Sequence, residues 1–183
     1  PLTVPLRLLG RLVGANPQET QRVSRAEFEA MAEIDRRQAG LDEEEWEVVT
    51  NVMNLDQVTV GEVMTPRIDM VAIPIESTVT AAMDLMLEEG YLRIPVYSES
   101  VDHIVGVLLA RDLWRADREG LQHIREIVRP ATFVPFSKPV EDLLRQMREQ
   151  RIKMAIVLDE YGGTSGLVTL EDLVEEIIGE IRD

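Results

Sequence analysis

The residues of this chain best suited to chemistry lie near its end, in Gly166-x-x-Thr169-x-x-Asp172. Gly166-Leu167-Val168 reads as the close of an apolar strand, and the residues after Thr169 read as a helix, so the pattern ends a strand and opens a helix. An aspartate in that first turn can accept hydrogen bonds from both hydroxyls of a ribose. A threonine hydroxyl beside it can donate to a phosphate, helped by the free N–H groups of the helix start. The same two residues also make an ordinary helix N-terminus, with Thr169 as the cap and Asp172 as its partner three positions on. Residue chemistry alone leaves both readings open.

Much other chemistry is excluded. The chain has 183 residues and no cysteine, which removes disulfides, thiolate zinc sites and cysteine nucleophiles. Its two histidines, His103 and His123, cannot build a histidine-rich metal centre. There is no phosphate-binding Walker loop, no Ser-His-Asp set and no metal-ligand cluster of catalytic spacing, so an enzyme is not expected. The net charge of −15 argues against a nucleic-acid partner, because phosphate backbones need a basic face. Asp42, Glu43, Glu44, Glu45 and Glu47 form the densest acidic cluster. Asp42 to Glu45 sit where a helix dipole favours negative charge, and the alternative for the cluster is a weak site for a hard cation.

The elements that must position the motif come as an internal repeat. Shifted by 60 residues, Ser77–Leu113 falls on Ser137–Leu173 without a gap, and Arg93-Ile94-Pro95-Val96 falls on Lys153-Met154-Ala155-Ile156. Each copy predicts a short strand (Met70–Ile73; Thr132–Val134) and then a helix with an apolar stripe (Val79, Ala82, Met83, Met86; Val140, Leu143, Leu144, Met147). Two strands follow, Ile94–Tyr97 and Ile104–Leu109 in the first copy, Ala155–Leu158 and Thr164–Thr169 in the second. A helix opening at the repeated Asp-Leu closes each. The expected fold is α+β, two β-α-β-β-α units with small sheets and flanking helices. Neither unit has core enough to stand alone, so the two must share one.

The N-terminal third is expected to be a separate segment, 1–58, ahead of units at 59–122 and 123–183. Ser24 and Glu27 box a helix to Ala39. Asp42 and Glu45 box a second, to about Asp56, with Trp46, Val49, Val52 and Met53 inward. Such helices need a partner face. Pro1 to Gly14, an apolar run with Arg7 and Arg11, reads either as a juxtamembrane segment cut from a longer chain or as an ordinary amphipathic terminus. No stretch approaches the roughly 18 to 20 apolar residues that span a bilayer.

This order of elements resembles the CBS domain, which occurs as tandem pairs (Bateman modules). Val63-Met64-Thr65-Pro66-Arg67, Arg93-Ile94-Pro95-Val96-Tyr97 and the run Asp159–Asp172 resemble, more narrowly, the CorC/HlyC (TlyC) and CNNM family, linked to magnesium and cobalt efflux. The acidic helices before Val60 resemble that family's linker bundle. The resemblance implies the cytoplasmic regulatory part of a divalent-cation transporter, on the cytoplasmic side of the cell membrane, with a membrane domain preceding it and homodimerisation through the paired units and N-terminal helices. It implies ATP in the cleft between the copies, with Thr65, Pro66, Arg67, Ile68, Met70, Tyr91, Arg93, Pro95, Thr169 and Asp172 around it and Mg²⁺ arriving on the phosphates rather than on protein ligands. Arg67 and Arg93 are the expected phosphate charges. The symmetric second cleft is expected to be poor: Leu109 replaces the hydroxyl, Asp112 is kept, and Phe133 and Pro135 crowd it. The alternatives are a structural dimerisation module indifferent to nucleotide, or a soluble accessory protein of a separate magnesium channel.

Overall fold

The computed structural model describes residues 42–179. The expected helix Ser24–Ala39 and the run Pro1–Gly14 lie outside them. Among these residues, those from Glu44 onward form one compact unit.

The first described helix, α1 (Glu43–Asn54), fully buries none of its residues. Trp46, Val49 and Met53 are half-buried as expected, but Val52 is 52% exposed. At 100° per residue Val52 falls at the edge of the stripe the other three define. The apolar anchor is instead Leu55, just past the helix end.

The repeat follows in the expected order. The first copy contributes α2 (Val60–Val63), β1 (Thr65–Pro66), a 3-10 turn (Arg67–Asp69), β2 (Ile73–Pro74), α3 (Val79–Glu89), β3 (Arg93–Tyr97), β4 (Ile104–Leu109) and α4 (Ala110–Glu119). The second contributes a 3-10 turn (Ile124–Glu126), β5 (Phe133–Pro135), α5 (Val140–Gln150), β6 (Met154–Leu158), β7 (Thr164–Thr169) and α6 (Leu170–Ile178). The third expected strand of each copy, Ile104–Leu109 and Thr164–Thr169, is observed residue for residue. The opening strands start later than expected, at Ile73 and Phe133, because pairing begins only where they run parallel beside β3 and β6.

The gap-free alignment of the copies is off by one residue through β3. Arg93 faces Leu109 across the β3–β4 ladder, and Met154 faces Thr169 across the β6–β7 ladder, so Arg93 corresponds to Met154 and not to Lys153. The offset is 61 residues up to these strands and 60 after them, and the extra residue lies in the first copy's β3–β4 loop. A one-residue slip turns every strand side chain to the other face. Both strands show the same burial, three buried residues between two half-buried ones, only in the corrected register.

Two lobes result, and each borrows its lead-in segment from the other copy. In the first lobe β2-β3-β4 form a sheet, with α3 and α4 packed around Ile94, Val96 and Leu108. In the second lobe β1 joins the sheet as β1-β7-β6-β5, although β1 belongs to the first copy. Leu55 and Val60 pack with Val140, Leu143 and Leu173, while Ile124 packs with Val79 and Leu113 of the earlier copy. Hydrogen bonds fix both exchanges: Val60 N donates to Lys138 O at 2.8 Å, and Ile124 N donates to Ser77 O at 3.2 Å. The expected boundaries at 59 and 123 therefore fall at the beginning of the two exchanged lead-ins. The crossing demands glycine. A Cβ on Gly166 would lie 2.2 Å from the Thr65 carbonyl oxygen, and one on Gly106 would lie 2.4 Å from the Arg129 carbonyl oxygen. Ile104, Ile156 and Leu167, with Met70, Tyr97 and Met154 against them, form a third cluster that joins the sheets.

Candidate functional site

The exchange of lead-ins creates two related clefts. In the first, β1 lies antiparallel to β7 with Thr65 opposite Leu167. In the second, Arg129 exchanges both backbone hydrogen bonds with Val107 of β4, at 2.9 and 3.0 Å. Val107 corresponds to Leu167, so Arg129 holds in the second cleft the place that Thr65 holds in the first.

The first cleft is a cavity of about 440 Å³, within the usual range for small-molecule sites. Seven of the ten residues expected around a ligand line it together: Thr65, Met70, Tyr91, Arg93, Pro95, Thr169 and Asp172. Pro66, Arg67 and Ile68 do not. Pro66 and Ile68 are exposed, Ile68 by 89%, and Arg67 is ion-paired with Asp102. Arg93 is thus the one expected phosphate charge on the cleft wall.

At the mouth of α6, Asp172 Oδ2 accepts from Thr169 N at 2.7 Å, and Thr169 Oγ1 accepts from Asp172 N at 3.2 Å. The capping reading is therefore realised. It does not use up the site, because the box engages one carboxylate oxygen. Oδ1 has no protein partner among the described residues, and both side chains face the cleft. Met70, Tyr91, Pro95, Leu167 and Met154 give apolar walls wide enough for a flat ring.

Sequence reading missed several lining residues, of which Asp69, Val71 and Glu171 carry chemistry. Val71 has a traceable signal. In the second lobe Ile156 N donates to Thr132 O at 2.8 Å. The corresponding pair in the first lobe is Pro95 and Val71, and proline has no N–H. The Val71 carbonyl is left without that partner at the cleft wall. Asp69 and Glu171, with Asp172, give the first cleft three carboxylates against the single guanidinium of Arg93.

The second cleft, about 620 Å³, differs in chemistry. Phe133 and Pro135 do not line it; the residue that fills the nucleoside end is Arg129. Its Nε donates to Asp112 Oδ2 at 2.6 Å and its terminal nitrogen to Oδ1 at 3.0 Å. Asp112 is buried, and these bonds hold its carboxyl below the ordinary aspartate range. Burial pushes the other way, and the charges of Arg129, Arg111 and Arg115 reinforce the lowering. Leu109 caps α4 with no side-chain bond. The counterpart of Asp172 is thus occupied by the protein's own arginine. The signal for this was the shared proline of Thr65-Pro66 and Arg129-Pro130, which lines up the two lead-ins.

Among the described residues no group of three or more His, Asp or Glu side chains is arranged to hold a metal, and no helix is long and apolar enough to cross a membrane.

Comparison with known proteins places this geometry. The sequence profile of the CBS domain matches residues 60–116 and 124–179. The magnesium and cobalt efflux protein CorC of Vibrio cholerae is 42% identical over 145 residues, 78% of this chain and 50% of that protein. The chain spans from 50% to 62% of the length of such curated relatives. Among solved structures, the CBS domain of a bacterial CNNM/CorC family Mg²⁺ transporter is 42% identical with a TM-score of 0.80, covering 88% of this chain and 99% of that one. A structure of such a domain in complex with ATP is 47% identical with a TM-score of 0.71, covering 75% and 99%.

Proposed function

The chain belongs to the CBS-domain family, as the tandem CBS region of a CNNM/CorC-type protein, and we propose that it binds Mg·ATP in the first cleft and relays its occupancy to a divalent-cation transport domain. One observation carries this reading. Thr169, Asp172, Arg93 and Thr65, distant in sequence, meet on a single cavity whose acceptor, Asp172 Oδ1, is unspent. Asp172 accepts from the ribose hydroxyls, Thr169 donates to a phosphate, and Arg93 supplies the charge for the phosphate tail. The adenine lies between the apolar walls with Val71 O at hand for its exocyclic amine. Asp69, Glu171 and Asp172 oppose an uncomplexed tetra-anion, so the nucleotide enters with Mg²⁺ on its phosphates. Among the described residues lining the cleft none is placed to activate a nucleophile, and the role we assign is binding rather than turnover.

The exposed Leu87, Leu92 and Trp114 on the first lobe, with Val174 and Ile178 on the second, offer apolar faces for a second copy of the chain, and the transport domain of the parent protein is the further partner. Such an arrangement on the cytoplasmic side of the membrane lets nucleotide shift the pair between two states that the transport domain reads. The test is calorimetry with ATP, ADP and AMP, with and without Mg²⁺. One magnesium-dependent ATP site per chain is the expected result. No heat and no thermal stabilisation at saturating Mg·ATP would leave only a scaffold.

A further inference from the structure

The second cleft has no role in the reading above, yet it is a strongly cationic concavity in an acidic protein. Arg93, Arg111, Arg129, Arg151 and Lys153 line it, and no carboxylate does. With 34 acids against 19 lysines and arginines in the chain, an arbitrary surface would hold more acids than bases. The charge is built position by position. Where the first cleft has Thr65, Gly90, Leu92 and Glu171, the second has Arg129, Arg151, Lys153 and Arg111. All four exchanges add positive charge.

One of these residues is held at a cost. Arg151 ends α5 in the left-handed conformation, φ 56°, where its first-lobe counterpart is Gly90 at φ 74°. For a residue with a Cβ that conformation costs about 1 kcal/mol. Arg129 is fixed by Asp112, whose Oδ1 also lies 3.9 Å from Arg111 Nε. The buried carboxylate thus positions two guanidiniums at the cleft while leaving both substantially exposed, 48% for Arg129 and 69% for Arg111. Five like charges around one cavity repel one another, and a multivalent anion relieves that.

We propose that the second cleft binds a small multivalent oxyanion of the inorganic polyphosphate class, pyrophosphate or triphosphate, without a nucleoside. A nucleoside is refused because Arg129 already takes both oxygens of Asp112, which leaves none for the ribose hydroxyls. Guanidinium forks match phosphate oxygens in pairs. Arg93 and Met154 line both clefts, so an oxyanion in the second shares its Arg93 with the phosphate tail in the first.

The test is titration of the full chain with sodium triphosphate in about 0.15 M salt. The key variant is Arg151→Gly with Lys153→Leu, which installs the first cleft's own residues and removes the left-handed arginine, so folding is favoured. One saturable site is expected, weakened about tenfold or more in that variant through loss of two charge-assisted contacts. It stays unchanged in Asp172→Ala and in the control Arg145→Gln with Arg148→Gln on the α5 surface. In the Asp172→Ala background adenosine does not compete with triphosphate. No saturable binding, equal weakening in the Arg145/Arg148 control, or competition by adenosine overturns the proposal. Failure of the nucleotide reading shows separately, as wild-type protein that ignores Mg·ATP while still taking up triphosphate.

Discussion

The two clefts are made by the same fold twice and are chemically opposite. Both depend on a lead-in strand crossing to the other copy over a glycine, Gly166 or Gly106, and on an aspartate in the first turn of the following helix. The backbone plan is common to both. The rim is not: carboxylates and an open Asp172 on one side, cations and an occupied Asp112 on the other. Duplicating a fold duplicates its cavities but not its sites, because a site is a handful of side chains that diverge freely once the backbone is secure.

The sharpest way to break this contrast is to remove each aspartate in turn. Asp172→Ala is expected to lower ATP affinity about a hundredfold or more, the loss of a charged acceptor that takes two hydroxyls. Stability falls by only about 1 kcal/mol through the lost cap. Asp172→Asn keeps a cap acceptor and restores that stability without restoring affinity. Asp112→Ala leaves ATP affinity unchanged. Calorimetry and thermal unfolding read both quantities. Equal loss of ATP binding in the two alanine variants would mean that the clefts are not distinct in function.

The next test converts one cleft into the other. Arg129→Thr with Leu109→Thr frees the Asp112 carboxylate and supplies the cap hydroxyl that the first cleft has. ATP stoichiometry is expected to rise from one to two per chain, and triphosphate affinity to fall. A stoichiometry that stays at one would show that the walls, rather than Arg129, refuse the nucleoside.

A smaller effect distinguishes the aspartates by pH. Asp112 titrates below its ordinary range when folded, so its pairing with Arg129 stabilises the protein above the unfolded value of about 3.9 and is lost as pH falls below it. Arg129→Gln is expected to be less stable than wild type at neutral pH. That gap closes as the pH falls from the unfolded value through the lower folded-state value, where the carboxyl is protonated in both states. Denaturant unfolding across that range gives the curve. A gap independent of pH would assign Arg129 a packing role instead.

What the sequence made legible follows from how each feature is encoded. Strands such as Ile104–Leu109 and the repeat itself were readable because apolar periodicity is local. So was the Gly-x-x-Thr-x-x-Asp turn, which is complete within seven residues. The one-residue slip at β3 was hidden because Arg93-Ile94 and Lys153-Met154 are both base-then-apolar pairs, and only the ladder partners reveal that Met154 is the true counterpart. The borrowed lead-ins were hidden for the same reason: nothing local to Val60 or Ile124 says which copy it will pack on. Arg129 escaped notice because its partner, Asp112, lies in the preceding copy and the pairing exists only after the exchange. Arg67, a basic residue beside Thr65 and chemically right for phosphate, pairs instead with Asp102 off the cleft wall, a contact across 35 residues that the sequence does not announce.

The finest difference between the lobes is one hydrogen bond. Ile156 N donates to Thr132 O, whereas Pro95 has no donor for Val71 O, and Val71 lines the first cleft. Pro95→Ile gives the first lobe the residue of the second. The new N–H takes up Val71 O and extends the ladder, so the fold is stabilised or unchanged. An amine on the base then meets a carbonyl already bonded, which weakens ATP by a net hydrogen bond of about 0.5–1.5 kcal/mol, roughly two- to tenfold. A purine triphosphate without the exocyclic amine loses nothing, and preference for adenine narrows by the same factor. Affinities of ATP and inosine triphosphate for wild type and Pro95→Ile decide it. Equal losses for both would trace the effect to the shape of the wall and remove Val71 from base recognition.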